Sequence, residues 1–142
     1  MSGFDLQRFV DAQEGSYDRA LAELYAGRKR SHWIWYVFPQ IAGLGISSTS
    51  KAYAISGLPE ARAYLEHPVL GPRLVECARV LTELPGSDPR AVFDHDAVKV
   101  HSCMTLFARA SDEPVFREVL DQYYGRREDD GTLRELAKLG QA

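Results

Sequence analysis

Residues 28–50 read RKRSHWIWYVFPQIAGLGISSTS, and the seven in their middle, HWIWYVF at 32–38, decide the fold class. Their Trp, Ile, Tyr, Val and Phe residues favour a strand, whereas Ser31 is placed to cap a short helix. Nearly every residue is apolar, so no alternation separates the two readings. Pro39 stops either structure. No other segment offers a convincing strand to pair with, and a lone strand leaves its backbone groups unsatisfied. The segment is therefore read as helix, and the chain as all-α.

Outward from that stretch, helical spacing predominates. Before it, Leu6, Phe9, Val10, Tyr17, Leu21 and Leu24 recur at helical intervals. Gly15-Ser16 either kinks one long helix or lets Ser16 cap a second, and Gly27 suits the left-handed position that ends it. After it, Ser50 or Thr49 caps a short helix through Lys51, Tyr53 and Ile55, and Pro59 opens another that breaks at His67-Pro68. Leu70, Leu74, Cys77, Leu81 and Leu84 form the stripe of a core-facing helix that stops at Pro85-Gly86. Asp88-Pro89 opens a short turn to Phe93, and Asp96 is placed to cap a helix with Val100, Met104, Phe107 and Ala108 inward. Asp112 and Pro114 restart the chain into a helix with Val115, Phe116, Val119, Leu120 and Tyr123, closed by Gly125, and Thr132 starts a last short helix through Leu133, Leu136 and Leu139. With no repeat or linker, residues 1–142 are read as one domain of about seven mostly short helices.

A chain of 142 residues, 45% hydrophobic and 26% charged, can bury a core without disulfides or a structural metal. Its net charge of −3 supplies no global field to attract nucleic acid, which makes nucleic acid an unfavoured partner. The N-terminus lacks the basic start and apolar run of a signal peptide, and no apolar run approaches the roughly 18–20 residues of a membrane helix. Cys77 and Cys103 lie far apart with no CxxC spacing. A cytoplasmic chain with reduced thiols is expected.

Four features carry possible chemistry. Arg28-Lys29-Arg30 follows a helix C-terminus, where positive charge complements the helix dipole; beside Trp and Tyr it is also the chemistry of a phosphate clamp with a stacking platform. Trp33, Trp35, Tyr36 and Phe38 cannot all point inward from one short element, so at least one should line a groove. The loop GLGISSTS offers two glycines and four hydroxyls before a helix N-terminus, a plausible anion nest, though without the ending of a Walker loop or the third glycine of a dinucleotide fingerprint. In DAVKVHSCMTLF (96–107), Lys99 sits near a core-facing edge. It either snorkels to water or brings a charge or a base to a pocket. His101 and Cys103 lack the spacing of a helical metal pair. Cys103 with His32 is a conceivable nucleophile dyad only if folding brings them together.

FDLQRFVDAQ (4–13), residues 17–55, EARAYLEHPVLGPRL (60–74) and DAVKVHSCMTLFA (96–108) resemble a bacterial family catalogued as a domain of unknown function and sometimes automatically labelled calpastatin. RKRSHWIWYVFPQ and GLG are the most specific parts. The resemblance implies a compact, mainly helical fold and brings no reaction. Nothing in the chain resembles an intrinsically disordered protease inhibitor. A second likeness is to small helical proteins that act on ADP-ribose adducts, through Phe38-Pro39 with Tyr53 and Lys99 with Met104 and Phe107. No position here matches that group's acidic active-site residue.

The expected site is one pocket between residues 28–53 and 96–107 for a phosphate-bearing small ligand, a nucleotide or an ADP-ribose derivative. Arg28, Lys29, Arg30 and Ser31 would hold phosphate. Gly43, Gly45, Ser47, Ser48, Thr49 and Ser50 would add donors, and Trp33 or Tyr36 would stack on the base, with Tyr53 completing the set. An enzyme built this way would be a hydrolase of an N-glycosidic or phosphoester bond, with His32 and Lys99 as acid, base or charge stabiliser. No metal and no cofactor is implied. The alternatives are a protein-interaction module that grips its partner through the aromatic segment and a local single-stranded nucleic-acid binder.

Overall fold

The structure, a computed structural model, describes residues 3–142. The deciding segment is helical: residues Ile34–Val37 form a single turn, α3, between Trp33 and Phe38. Ser31 does not cap it, because its amide and hydroxyl are bound to Glu23. Before it come α1 (Gln7–Gln13) and α2 (Tyr17–Tyr25). Gly15, at φ +78°, separates the two. The Ser16 hydroxyl donates back to the Ala12 carbonyl at 2.8 Å instead of capping α2. Gly27, at φ +79°, follows α2 as its sequence position predicted.

After α3 the chain runs extended. Ile41 makes an isolated parallel bridge with Ile55, in which Ala42 N donates to Ile55 O and Ile55 N to Gln40 O, both at 2.8 Å. Between the bridge arms lies α4 (Ser48–Ala52). Its cap is Ser47, whose Oγ accepts from Ser50 N at 3.1 Å, so neither Thr49 nor Ser50 has that role. Next are α5 (Leu58–Glu66), with Pro59 in its first turn, and α6 (Leu70–Glu83). Asp88 caps α7 (Pro89–Phe93), and a 3-10 turn at Asp94–Asp96 leads into α8 (Ala97–Ala110). Then come α9 (Pro114–Tyr124), closed by left-handed Gly125, and α10 (Asp130–Lys138). Asp129, whose carboxylate accepts from Thr132 N, caps α10 one turn ahead of the expected start. Leu139, expected within this helix, lies just past its end and is half exposed.

Ten α-helices and the 3-10 turn are thus present among the described residues; α3, α4 and α7 are too short to show a period in the sequence. Helix α8 is the axis of the core, packed against α5, α7, α9 and α10. Its Val100, Cys103, Met104, Leu106 and Phe107 are fully buried. Helix α6 lies against α2, α5 and α9. One apolar core runs from Leu6 to Leu136 and includes Trp33 and Phe38. No helix among the described residues is long and apolar enough to cross a membrane.

Candidate functional site

The basic run folds around a carboxylate. Glu23, on α2, accepts Arg30 N at 2.7 Å, Ser31 N at 2.9 Å and Trp33 Nε1 at 2.9 Å on one oxygen, and the Ser31 hydroxyl at 2.6 Å on the other. Partial burial pushes its pKa up, but these four donors outweigh burial and hold it near 2. The turn that carries the arginines is therefore built by backbone amides facing inward. The Arg28 and Arg30 side chains point away and are exposed, with no hydrogen bond or ion pair to a described residue. Trp33 is drawn into the core, 1% exposed, and cannot stack on a ligand without unfolding the turn.

Lys29 goes the other way. Its Nζ lies 3.0 Å from Asp96 Oδ2 and donates to the Ser31 carbonyl. Lys99 Nζ donates to Asp96 Oδ1 at 2.7 Å. Asp96 is itself buried. Burial raises its pKa, but Lys99 and Lys29 hold it below the usual carboxylate range. Its carboxylate is spent on these lysines, so it does not cap α8. The same lysines place charge on aromatic faces: Lys29 Nζ is 5.2 Å from the Trp33 ring and Lys99 Nζ 4.7 Å from the Trp35 ring. Lys99, expected as acid or base, is thus a buttress between Asp96 and Trp35. His32 is exposed on the surface, and its imidazole bonds no described residue. The Cys103 thiol is fully buried with its pKa pushed well above the ordinary value by desolvation, so no dyad with His32 forms.

A concave pocket of about 190 Å³ opens between the two arms of the Ile41–Ile55 bridge. Trp35 and Tyr53 supply its aromatic wall, the 41–45 loop its rim, and Gln40, Ser50 and Lys51 its polar groups. Arg8 braces it from behind, donating to the Ala52 carbonyl at 2.9 Å and the Ala54 carbonyl at 2.8 Å while paired with buried Glu60 at 3.0 Å. Tyr36 packs on Tyr53, with ring centroids 5.4 Å apart. Gly45 has no room for a Cβ, which would fall inside the Ser50 side chain; this absence lets the loop close on α4.

Of the expected ligand set, Gly43, Gly45, Ser50 and Tyr53 line this pocket. Arg28, Lys29, Arg30 and Ser31 do not, because they belong to the Glu23 turn. Ser47 is spent as a cap and Ser48 and Thr49 are exposed on α4. The nest is weaker than its composition predicted: α4 has only five residues, and Ser47 already fills the Ser50 amide. Five contributors escaped the sequence reading as parts of a site: Glu23, Trp35, Gln40, Lys51 and Arg8. Only Trp35 carried a signal, as one of four aromatics that could not all point inward. Nor is there a flat exposed aromatic patch here, since Trp33 and Phe38 are buried and Trp35 and Tyr36 half-buried.

The model of the family described as Protein of unknown function (DUF1810) matches residues 3–136. The chain belongs to that family. A crystal structure of the conserved hypothetical protein Rv1873 from Mycobacterium tuberculosis is 49% identical and superposes with a TM-score of 0.92, over 94% of this chain and 97% of that one. No curated protein matches the chain. Membership fixes the fold of the family here, and the chemistry must be argued from the pocket.

Proposed function

We propose that the chain binds a small phosphate-bearing molecule, a nucleotide or an ADP-ribose derivative, with its aromatic ring in the pocket between residues 40–45 and 50–54. One observation carries this reading: the pocket gathers Trp35, Tyr53, a two-glycine rim and Lys51 around a single concavity. Its volume, about 190 Å³, falls below the ~300–1,000 Å³ of sites that enclose drug-sized ligands. It therefore takes one planar base or ring system, and the phosphate stays outside, towards the Lys51 ammonium. The reading is of a binder. Hydrolysis has less support, because Lys99 is bound to Asp96 and His32 does not line the pocket.

Thermal unfolding with AMP, UMP, ADP-ribose and inorganic phosphate tests it. Ring-bearing phosphates should raise Tm, adding about 2.7 kcal/mol of stability at a hundredfold excess over Kd, while inorganic phosphate alone should do little. Trp35→Ala should abolish the shift, and Lys51→Ala should weaken nucleotides more than the matching nucleosides. No stabilisation by any of the ring-bearing compounds at millimolar concentration defeats the proposal.

A further inference from the structure

Trp35 is shared between the pocket and a charge cluster behind it. With Tyr53 it lines the pocket. Lys99 stands over the Trp35 ring, its Nζ 4.7 Å from the ring centroid, and is not itself among the lining residues. Lys99 occupies one face of the indole, so a ligand in the pocket meets the opposite face or the edge. The ammonium is held in place by its 2.7 Å hydrogen bond to Asp96 Oδ1.

This cluster is not neutral. Asp96 supplies one negative charge, against two positive ones from Lys99 and from Lys29, whose Nζ is 3.0 Å from Asp96 Oδ2. Neither lysine forms an ion pair with any other carboxylate among the described residues. His95, with Nε2 3.8 Å from Asp96 Oδ1, brings no negative charge to the balance. One positive charge is therefore left over behind Trp35. On the pocket side stands a second cation, Lys51, and no Asp or Glu lines the cavity. Glu135, which packs on Gly43 at the rim, is itself paired with Lys138 at 2.8 Å.

An aromatic face attracts cations through the negative potential of its π cloud. On Trp35 that attraction is already engaged by Lys99. A cation on one face also draws π density towards itself, leaving the other face less negative and the edge hydrogens more positive. Two aromatic side chains around a small concavity would otherwise suit an organic cation. The surplus charge behind Trp35 and the Lys51 ammonium beside it reverse that preference.

We propose that Lys99, acting through Trp35, sets the charge selectivity of this pocket, which accepts a neutral or anionic planar ring and rejects a cationic one. Lys99 touches no ligand and is a positioning residue. This inference rests on the ring-binding reading of the pocket above and narrows its ligand class. Among the rings of nucleotides and ADP-ribose derivatives, an uncharged or anionic base is accepted and a pyridinium is excluded. A ring stacked beyond Trp35 lies about 8 Å from Lys99 Nζ, where one unit charge at an effective dielectric of about 20 changes a binding constant by roughly tenfold or more.

The test pair is nicotinamide mononucleotide in its oxidised and reduced forms, which share ring size, ribose and phosphate and differ in the charge of the ring. Dissociation constants for both, and for UMP, are measured calorimetrically on the full-length protein. In wild type, the reduced form and UMP should bind about tenfold or more tighter than the oxidised form. Lys99→Met removes the surplus charge and should bring the Kd ratio of the two nicotinamide forms close to one, whereas Lys99→Arg keeps the charge and should keep the ratio. The contribution of Lys51 to the shared phosphate cancels in this ratio. A merely structural Lys99 would weaken both forms together in Lys99→Met and leave their ratio unchanged, which overturns the proposal. Loss of the ratio in Lys99→Arg as well as Lys99→Met overturns it too. Equal affinities in wild type overturn it and leave ring binding standing. Tighter binding of the oxidised form marks a cage for organic cations and also overturns it. If none of these compounds binds, the pocket reading falls and this inference falls with it. Should Lys99→Met fail to fold, the wild-type ratio decides alone.

Discussion

Glu23 shows how one side chain can redirect a motif. Three consecutive cations beside two tryptophans read as a ligand clamp, yet the carboxylate of Glu23 gathers the amides of Arg30 and Ser31 and the Trp33 indole into a turn. Hydrogen bonds to an ionised acceptor contribute about 1.5–3 kcal/mol each before solvent exposure is discounted. Glu23→Gln puts an amide donor among these donors and should lower stability by about 1–3 kcal/mol at neutral pH, read by urea denaturation. The pH dependence has a definite sign. The folded carboxyl, near 2, lies below its ordinary 4.5, so its contribution is fully present above 4.5 and is lost as pH falls through about 2. Wild type should lose stability over that interval and Glu23→Gln less. Identical acid limbs would remove Glu23 from this role. The turn was not legible because its organiser lies seven to ten positions upstream, on a different element, among other solvent-side carboxylates.

At the scale of elements, the joins between helices carry the geometry that matters. Helices α5 and α6 meet through a tight turn, and Gly71, in the first turn of α6, has no space for a side chain: a Cβ there would meet the Leu65 carbonyl oxygen. Backbone cannot swing aside as a side-chain tip can, so Gly71→Ala should cost about 1–3 kcal/mol, the range of an overpacked core. The check is a lowered urea midpoint with an unchanged m value. An unshifted midpoint would mean that the turn relaxes freely. In the sequence, His67-Pro68 marks this break plainly, but nothing there tells that Gly71 must be a glycine. The pocket arises the same way, from a join: the Ile41–Ile55 bridge holds two extended arms around α4, and neither arm has the alternation of a strand.

Over the whole molecule, the core closes around α8 so completely that both thiols are fully buried. Burial pushes Cys77 up to about 12 and Cys103 well above the ordinary value. A thiol reagent should therefore leave the native protein unlabelled over minutes and modify both cysteines in urea, because only global opening exposes them. Rapid labelling of either residue in native buffer would show that the core around α8 opens locally. The same closure accounts for the fate of the aromatics. A domain of this size needs Trp33, Phe38 and Phe93 inside, where Phe38 packs on both of the others. Only Trp35 and Tyr53 remain for the pocket wall.

The all-α class, the breaks at Gly15, Gly27 and Pro85-Gly86, and the inward stripes of α6 and α9 follow from the sequence alone, because helical period and the φ preferences of glycine and proline are local properties. The hydroxyl-rich loop and Tyr53 could likewise be recognised as material for a site. Which cations are free and which tryptophan is buried were decided by tertiary structure. Those outcomes depend on pairings such as Glu23 with Trp33 and Lys29 with Asp96. Charge and hydrogen bonding act between whatever groups packing brings together, and for Lys29 and Asp96 the partners come from opposite halves of the chain.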